Sequence, residues 1–230
     1  MSRRFLCLLF IISLWSPLLL GQVKKKIAIE FHPTFKGIPL ELTKGPFDPE
    51  TDSTTIEVFK CYISNLKFYL DNQLVFSELD SYHLLNAEEP NSLSLILESS
   101  ENFHFNHLSF SVGIDSLTNA QGPQEGDLDP VHGMYWTWQS GYINFKLEGQ
   151  SFLSSARNQA YQYHLGGFLN KHEAAITVDF PINNPQKIAI NIDLDRFLDS
   201  LEISKKAQVM SPGFAAVKLS KLFANQFSIR

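Results

Sequence analysis

The sequence predicts an all-β protein: a single-domain β-sandwich, immunoglobulin-like or jelly-roll-like, with one long acidic loop and a C-terminal helix. Three observations predict it. Period-2 alternation dominates, as where Ile143, Phe145 and Leu147 alternate with Asn144 and Lys146, and Ile188, Ile190 and Ile192 with Ala189 and Asn191. The apolar segments are short and separated by turn residues. A hydrophobic content of 44% with 19 Phe supplies an ordinary core.

The chain opens with a segment that reads as a leader. Arg3 and Arg4 precede an apolar run from Phe5 to Leu20 that closes on Gly21-Gln22, the pattern of a secretory signal peptide over residues 1–21. Ser13, Ser16 and Pro17 interrupt the run and make it a poor membrane span. The domain is then expected over residues 22–230, exported to the periplasm or secreted, with no membrane span once the leader is gone. Losing Arg3 and Arg4 makes the formal net charge of −5 more negative still, a poor balance for binding nucleic acid. Cys7 leaves with the leader and Cys61 stays alone, so no intrachain disulfide can form.

Ile27, Ile29 and Phe31 form the first strand, which is expected to end at His32-Pro33. Ile56 and Val58 lead into a second that runs through Cys61 to Leu70. Further strands are expected over 82–85, 93–97, 103–112, 136–147, 159–165, 175–180 and 188–192. In 103–112 the apolar parity switches from Phe103 and Phe105 to Leu108, Phe110 and Val112, which predicts a bulge near Asn106-His107. Residues 195–201 suggest a short helical turn. Ala215, Leu219, Leu222, Phe223 and Gln226 fall at helical spacing after Pro212-Gly213, which predicts an amphipathic helix over 214–227 covering one end of the sandwich.

Gly113–Gly133 is the longest irregular stretch, and loops of that length in compact domains are usually functional or mobile. It is expected to pack over the tryptophan strand that follows and to limit access to it. Its carboxylates Asp115, Glu125, Asp127 and Asp129 could form an oxygen cage for calcium, though the pattern is no EF-hand. Immediately after it, Met134, Trp136 and Trp138 would share one strand face. Such a face is a core strand, a sugar-stacking platform, or a site using Trp and Met near a metal.

Seven histidines are present, with no HExxH or other helical ligand pair. His164 alternates away from Tyr161, Tyr163 and Leu165, and the following Gly166-Gly167 permits close approach of a backbone or ligand. His32, at its strand end, would project into a loop. No GxSxG elbow, GxGxxG or phosphate-binding loop occurs, and Cys61 sits in an apolar strand pattern where an inert thiol is expected. No enzyme is predicted.

The chain resembles the MbnP-like family of exported copper-binding proteins, in the form common in Bacteroidetes. The resemblance spans nearly the whole mature chain, from Ile29–Leu42 ("IEFHPTFKGIPLEL") and Phe59–Leu70 ("FKCYISNLKFYL") to "IDLDRF". Its specific part is Gly133–Gly149 with Tyr163–Phe168. It implies a β-rich domain that binds copper, Cu(I) or Cu(II), through histidines. In some relatives a tryptophan oxidised to kynurenine takes part, made by a dihaem peroxidase-like partner, and an outer-membrane transport partner is a further expectation. Imidazole suits copper and thioether suits Cu(I), whereas an intact indole nitrogen is no ligand until the ring is opened to an aryl amine.

Carried over residue by residue, the implied metal residues are His32, His164, Trp136, Trp138 and Met134, with one copper held by His164 and His32 as nitrogen ligands. Asp115 would orient a ligating imidazole. Proteobacterial members carry a histidine where Asn119-Ala120 stands here; His132 is the candidate substitute. The rival reading is a metal-free secreted module in which Trp136, Trp138 and Tyr142 stack on a glycan or a protein partner.

Overall fold

The computed structural model describes residues 25–50, 53–136, 140–183 and 185–230; the expected leader and Trp138 lie outside these. In chain order the elements are β1 (Lys25–Phe35), β2 (Ile38–Pro39), β3 (Val58–Leu70), β4 (Gln73–Ser77), β5 (Tyr82–Asn86), β6 (Ser94–Ser99), β7 (His107–Val112), α1 (Ser116–Gln121), β8 (Ile143–Gln150), β9 (Ala160–Gly166), β10 (Ile176–Pro181), β11 (Lys187–Asp193), α2 (Leu194–Asp199), β12 (Gln208–Val209), α3 (Phe214–Ala224) and β13 (Phe227–Ile229). One sheet joins β13, β11, β1 and β2, with β6 also paired to β1. The other joins β10, β7, β3, β8, β9 and β12, with β4 and β5 also paired to β3. The fold is an all-β sandwich.

Alternation decides which side chains enter the core. Ile27, Ile29 and Phe31 of β1, Ile188, Ile190 and Ile192 of β11, and Phe145, Leu147, Tyr161, Tyr163 and Leu165 of β8 and β9 all bury in one cluster between the sheets. Burial of this kind stabilises by roughly 1.5–3 kcal/mol per large side chain. Helix α3 closes one end: Phe223 stacks on Phe145 with ring centroids 3.8 Å apart, and meets Phe197 of α2 edge-on at 5.4 Å. The helix is shorter than the periodicity predicts, because Phe227–Ile229 leaves it to pair with β11. Cys61 is fully buried in this core, and burial pushes its thiol pKa up, leaving it protonated.

Two strand expectations need correcting. Strand β1 does not end at His32-Pro33 but runs on to Phe35, with Pro33 opposite Ile192 in parallel register. The proline is tolerated because pairing with β6 stops at Glu30 and pairing with β2 begins only at Thr34, so no ladder bond requires its missing N–H. Nor is there a bulge at Asn106-His107: β7 begins at His107, and Phe103 and Phe105 precede it as irregular chain. The register shift lies in the partner strand, between Ser64 and Lys67 of β3, where Asn65 has a left-handed φ of 55°.

Strand β3 organises the second sheet. Its Val58–Cys61 pairs with β8 and its Ile63–Tyr69 with β7, while β5 pairs with Lys60–Ser64. Because β5 overlaps both partners, β7 and β8 lie end to end along the other edge of β3. The chain therefore leaves that edge at Gly113, whose N–H donates to Tyr62 O (2.8 Å), and returns to it at Ile143. The departure and the return touch, since Ile114 N donates to Asn144 Oδ1 at 3.1 Å. Residues 114–136 and 140–142 belong to an excursion laid across the outer face of this sheet.

Candidate functional site

The excursion is held by apolar burial first. Ile114, Leu128, Met134, Tyr142 and Ile143 bury against Tyr62 and Leu84, a second cluster outside the main core. It is more regular than the composition suggests, since α1 and two short 3-10 turns, Gly126–Leu128 and Pro130–His132, supply its local backbone bonds. Tyr142 is its hub. The phenol oxygen accepts from Gln124 N (2.9 Å) and donates to Leu128 O (3.0 Å), while Tyr142 N donates to Asn119 Oδ1 (2.8 Å).

Around the tryptophan stretch the described residues Met134–Trp136 and Gly141–Ile143 pair antiparallel as the two arms of a small hairpin, where the sequence predicts one long strand over 136–147. Tyr135 bridges Tyr142, Trp136 N donates to Gly141 O (3.1 Å), and Ile143 N donates to Met134 O (2.9 Å). Gly141 has φ 73°, and a side chain there would collide with Asn119 and Phe168. The expected loop, Gly113–Gly133, does lie against this hairpin, with Asn119 and Gln124 bonded to Tyr142.

Beneath the hairpin lies a row of polar side chains on the outer face of the sheet. The strand register sets Lys60 beside Lys146 and Lys146 beside His164. Lys60 Nζ donates to His132 O (3.3 Å) and Lys146 Nζ to Gly133 O (3.4 Å), so two lysines tie the end of the excursion to the sheet. Lys146 Nζ is also 3.5 Å from Glu148 Oε1, and that same oxygen is 2.6 Å from His164 Nε2. The hydrogen bond from His164 is the main cause that holds the Glu148 carboxyl below its ordinary range, against the opposing effect of burial. An ionised carboxylate only accepts, so Nε2 carries the proton in this pair.

His164 is 7% exposed. One same-face step along β9 stands Gly166, and Trp136 covers it: a Cβ there would lie 3.0 Å from Trp136 Cζ3 and 3.3 Å from Cη2. The structure thus brings His164 and Trp136 to neighbouring positions.

The other residues chosen from the sequence are placed differently. His32 lies mid-strand in β1 on the outer face of the other sheet, 3.5 Å from Glu30, which is paired in turn with Lys187 at 2.7 Å. Packed sheets are roughly 10 Å apart, and the outer faces lie farther still, so His32 and His164 cannot share one ion. Met134 is fully buried in the apolar cluster, where its thioether packs against the phenol rings and aliphatic groups around it. Among the described residues no hydrogen bond or ion pair joins Asp115 to a histidine. Its carboxylate caps α1 by accepting from Thr118 N (2.9 Å), and it also accepts from Tyr82 Oη (3.1 Å). His132 Nε2 is 3.1 Å from Gly126 O, within the excursion.

Two of the loop carboxylates bond to nearby backbone. Asp127 accepts from Leu84 N and Asp129 from Val131 N, each at 2.9 Å or less, so both carboxylates are engaged by backbone amides. Tyr142, fully buried, presents no face for stacking on a glycan. Among the described residues no three His, Cys, Asp or Glu side chains are grouped as a metal cage.

Sequence reasoning missed Glu148 and Lys146. The alternation of β8 was legible, and it already put both on the side opposite Phe145 and Leu147. What it lacked was the register that sets Lys146 beside His164.

Three comparisons bear on kinship. Among curated proteins none matches significantly. A solved structure, MbnP from Methylosinus trichosporium, is similar in fold with a TM-score of 0.59 at 15% identity, covering 84% of this chain and 87% of that one. The family model described as MbnP matches residues 24–211, a span from the first residues of β1 through the excursion, the hairpin and His164 to β12. The chain belongs to the MbnP family.

Proposed function

We propose that this protein is an exported copper-binding protein that holds the metal beside His164. In this reading Trp136 or Trp138 contributes a second nitrogen once its indole has been opened to kynurenine. The observation that carries it is the placement of Trp136 over Gly166, one same-face step from His164. Family membership supports it, as does the chemistry of the donors. A largely buried, oriented imidazole with an indole beside it suits copper. Oxidative cleavage of the indole C2–C3 bond adds two oxygens to give the N-formyl amide, and water then releases that carbon as formate and frees the aryl amine, a net replacement of one carbon by one oxygen; the cleavage needs an oxidant, for which a dihaem peroxidase-like protein is the partner class. The role that follows is periplasmic or extracellular copper acquisition or handling, with an outer-membrane transport protein as a second partner, and not catalysis. No helix among the described residues is long and apolar enough to cross a membrane.

The test is titration with Cu(I) and Cu(II) of protein purified from its native host. His164→Ala is expected to weaken binding at least tenfold, while His32→Ala, on the far side of the sandwich, leaves it unchanged. Wild-type affinity in His164→Ala sinks the assignment. Absence of copper binding, together with glycan binding that is lost in Trp138→Ala, would favour a metal-free binding module instead.

A further inference from the structure

We infer that Glu148 is a positioning residue that locks the His164 ring so that Nδ1, not Nε2, is the nitrogen presented toward Trp136. The inference rests on the copper reading for its purpose, but its geometry stands on the strand register.

Along the outer face of β9 the order is Gln162, His164, Gly166. Glu148 of β8 pairs with Gln162, one step to one side of His164. Trp136 covers Gly166, one step to the other side. His164 Nε2 is bonded at 2.6 Å to Glu148 Oε1. In an imidazole the two nitrogens lie on opposite flanks of the ring. With Nε2 turned toward Glu148, Nδ1 lies on the flank nearer Gly166 and the tryptophan. The carboxylate accepts the Nε2 proton, so the neutral ring keeps its free lone pair on Nδ1. Orientation and tautomer are thus set by one bond, the way a carboxylate prepares a ligating histidine from outside the metal's own ligand set.

The carboxylate is itself held. Lys146 Nζ, 3.5 Å from the same Oε1, also donates to Gly133 O at the base of the hairpin. The side chains of Lys146, Glu148 and His164 are only 20%, 23% and 9% exposed, so the ring has little freedom to turn out into water. The hairpin carrying the tryptophan and the strand carrying the histidine are joined through this pair of β8 side chains.

Two readouts separate this inference from the copper reading. The first is long-range proton–nitrogen NMR of the metal-free protein at neutral pH. The wild-type His164 is expected as the Nε2–H tautomer, Glu148→Ala as a mixture with Nδ1–H, and Glu148→Gln, which keeps the side-chain volume, between them. The second is Cu(I) affinity, expected to fall about 10–100-fold in Glu148→Ala. An Nδ1–H ring in the wild type, or an unchanged tautomer in both variants, overturns the positioning role whatever copper does. A shifted tautomer with Cu(I) affinity unchanged in both Glu148→Ala and His164→Ala overturns the copper reading and leaves the hydrogen bond a structural one.

Discussion

Gly166 lies beneath the six-membered ring of Trp136 and beside the carbonyl of Tyr142, and nothing larger than hydrogen fits between them. The glycine is where the hairpin touches down on the sheet, and it sets how near the indole stands to His164. Gly166→Ala is expected to push the hairpin outward and to destabilise the fold by roughly 1–3 kcal/mol, the usual cost of overpacking. Urea unfolding measures the loss and tryptophan emission reports the displacement. A variant unchanged in both would mean that the contact does not exist in solution.

Tyr142→Phe removes a phenol that serves two backbone groups, Gln124 N and Leu128 O. Leaving the buried Leu128 carbonyl and the half-buried Gln124 amide without this partner should cost about 1–3 kcal/mol. The effect should be local. Amide exchange is expected to speed up within residues 114–142 while Phe59 and Cys61 of β3 stay protected. Equal loosening of β3 would show that the excursion and the sandwich unfold as one unit.

Asp115 gives a pH prediction. Burial raises its pKa, but the Thr118 amide and the Thr118 and Tyr82 hydroxyls outweigh that and hold the carboxyl below its ordinary value. A folded pKa below the unfolded one adds stability above the unfolded value, near pH 4, and loses it as pH falls through the folded value. Asp115→Ala should cost about 1 kcal/mol at neutral pH through loss of the helix cap. The gap between wild type and Asp115→Asn should shrink below about pH 4, as followed by urea unfolding at a series of pH values. A gap that widens in acid would reverse the sign and refute the assignment.

Maturation is read directly by mass. Digestion of native-host protein with Asp-N and Lys-C should release Asp129–Lys146, with one carbon replaced by one oxygen at Trp136 or Trp138, and fragmentation distinguishes them. An unmodified peptide in copper-replete native material would leave a histidine-only copper site or none.

Alternation in Ile188–Ile192 and in Phe145–Leu147 was enough to specify which side chains enter the core, because a strand can bury only every second residue; it failed at Ile143, which a register shift before Phe145 turns into the outer cluster. It also put His164 on the face opposite Tyr163 and Leu165, and Gly166-Gly167 announced the close approach of another segment. The bulge expected at Asn106-His107 failed for a related reason. Parity records which way side chains point, not whether the chain is paired, and the irregular chain before β7 buries Phe105 and half-buries Phe103.

By itself, the sequence determined the sandwich, the unusual stretch from Gly113 through the tryptophans, and His164 with Trp136 as residues to watch. These are readable because burial periodicity and residue chemistry are local properties of the chain. Only the tertiary structure decided which of these residues meet. It set His32 on the outer face of one sheet and His164 on that of the other, gave Asp115 to a helix cap, sank Met134 and Tyr142 into an apolar cluster, and brought Glu148 to His164. Those outcomes depend on strand register and on the path of the excursion across β3. Both are fixed by contacts between residues far apart in the chain, and no local pattern carries them.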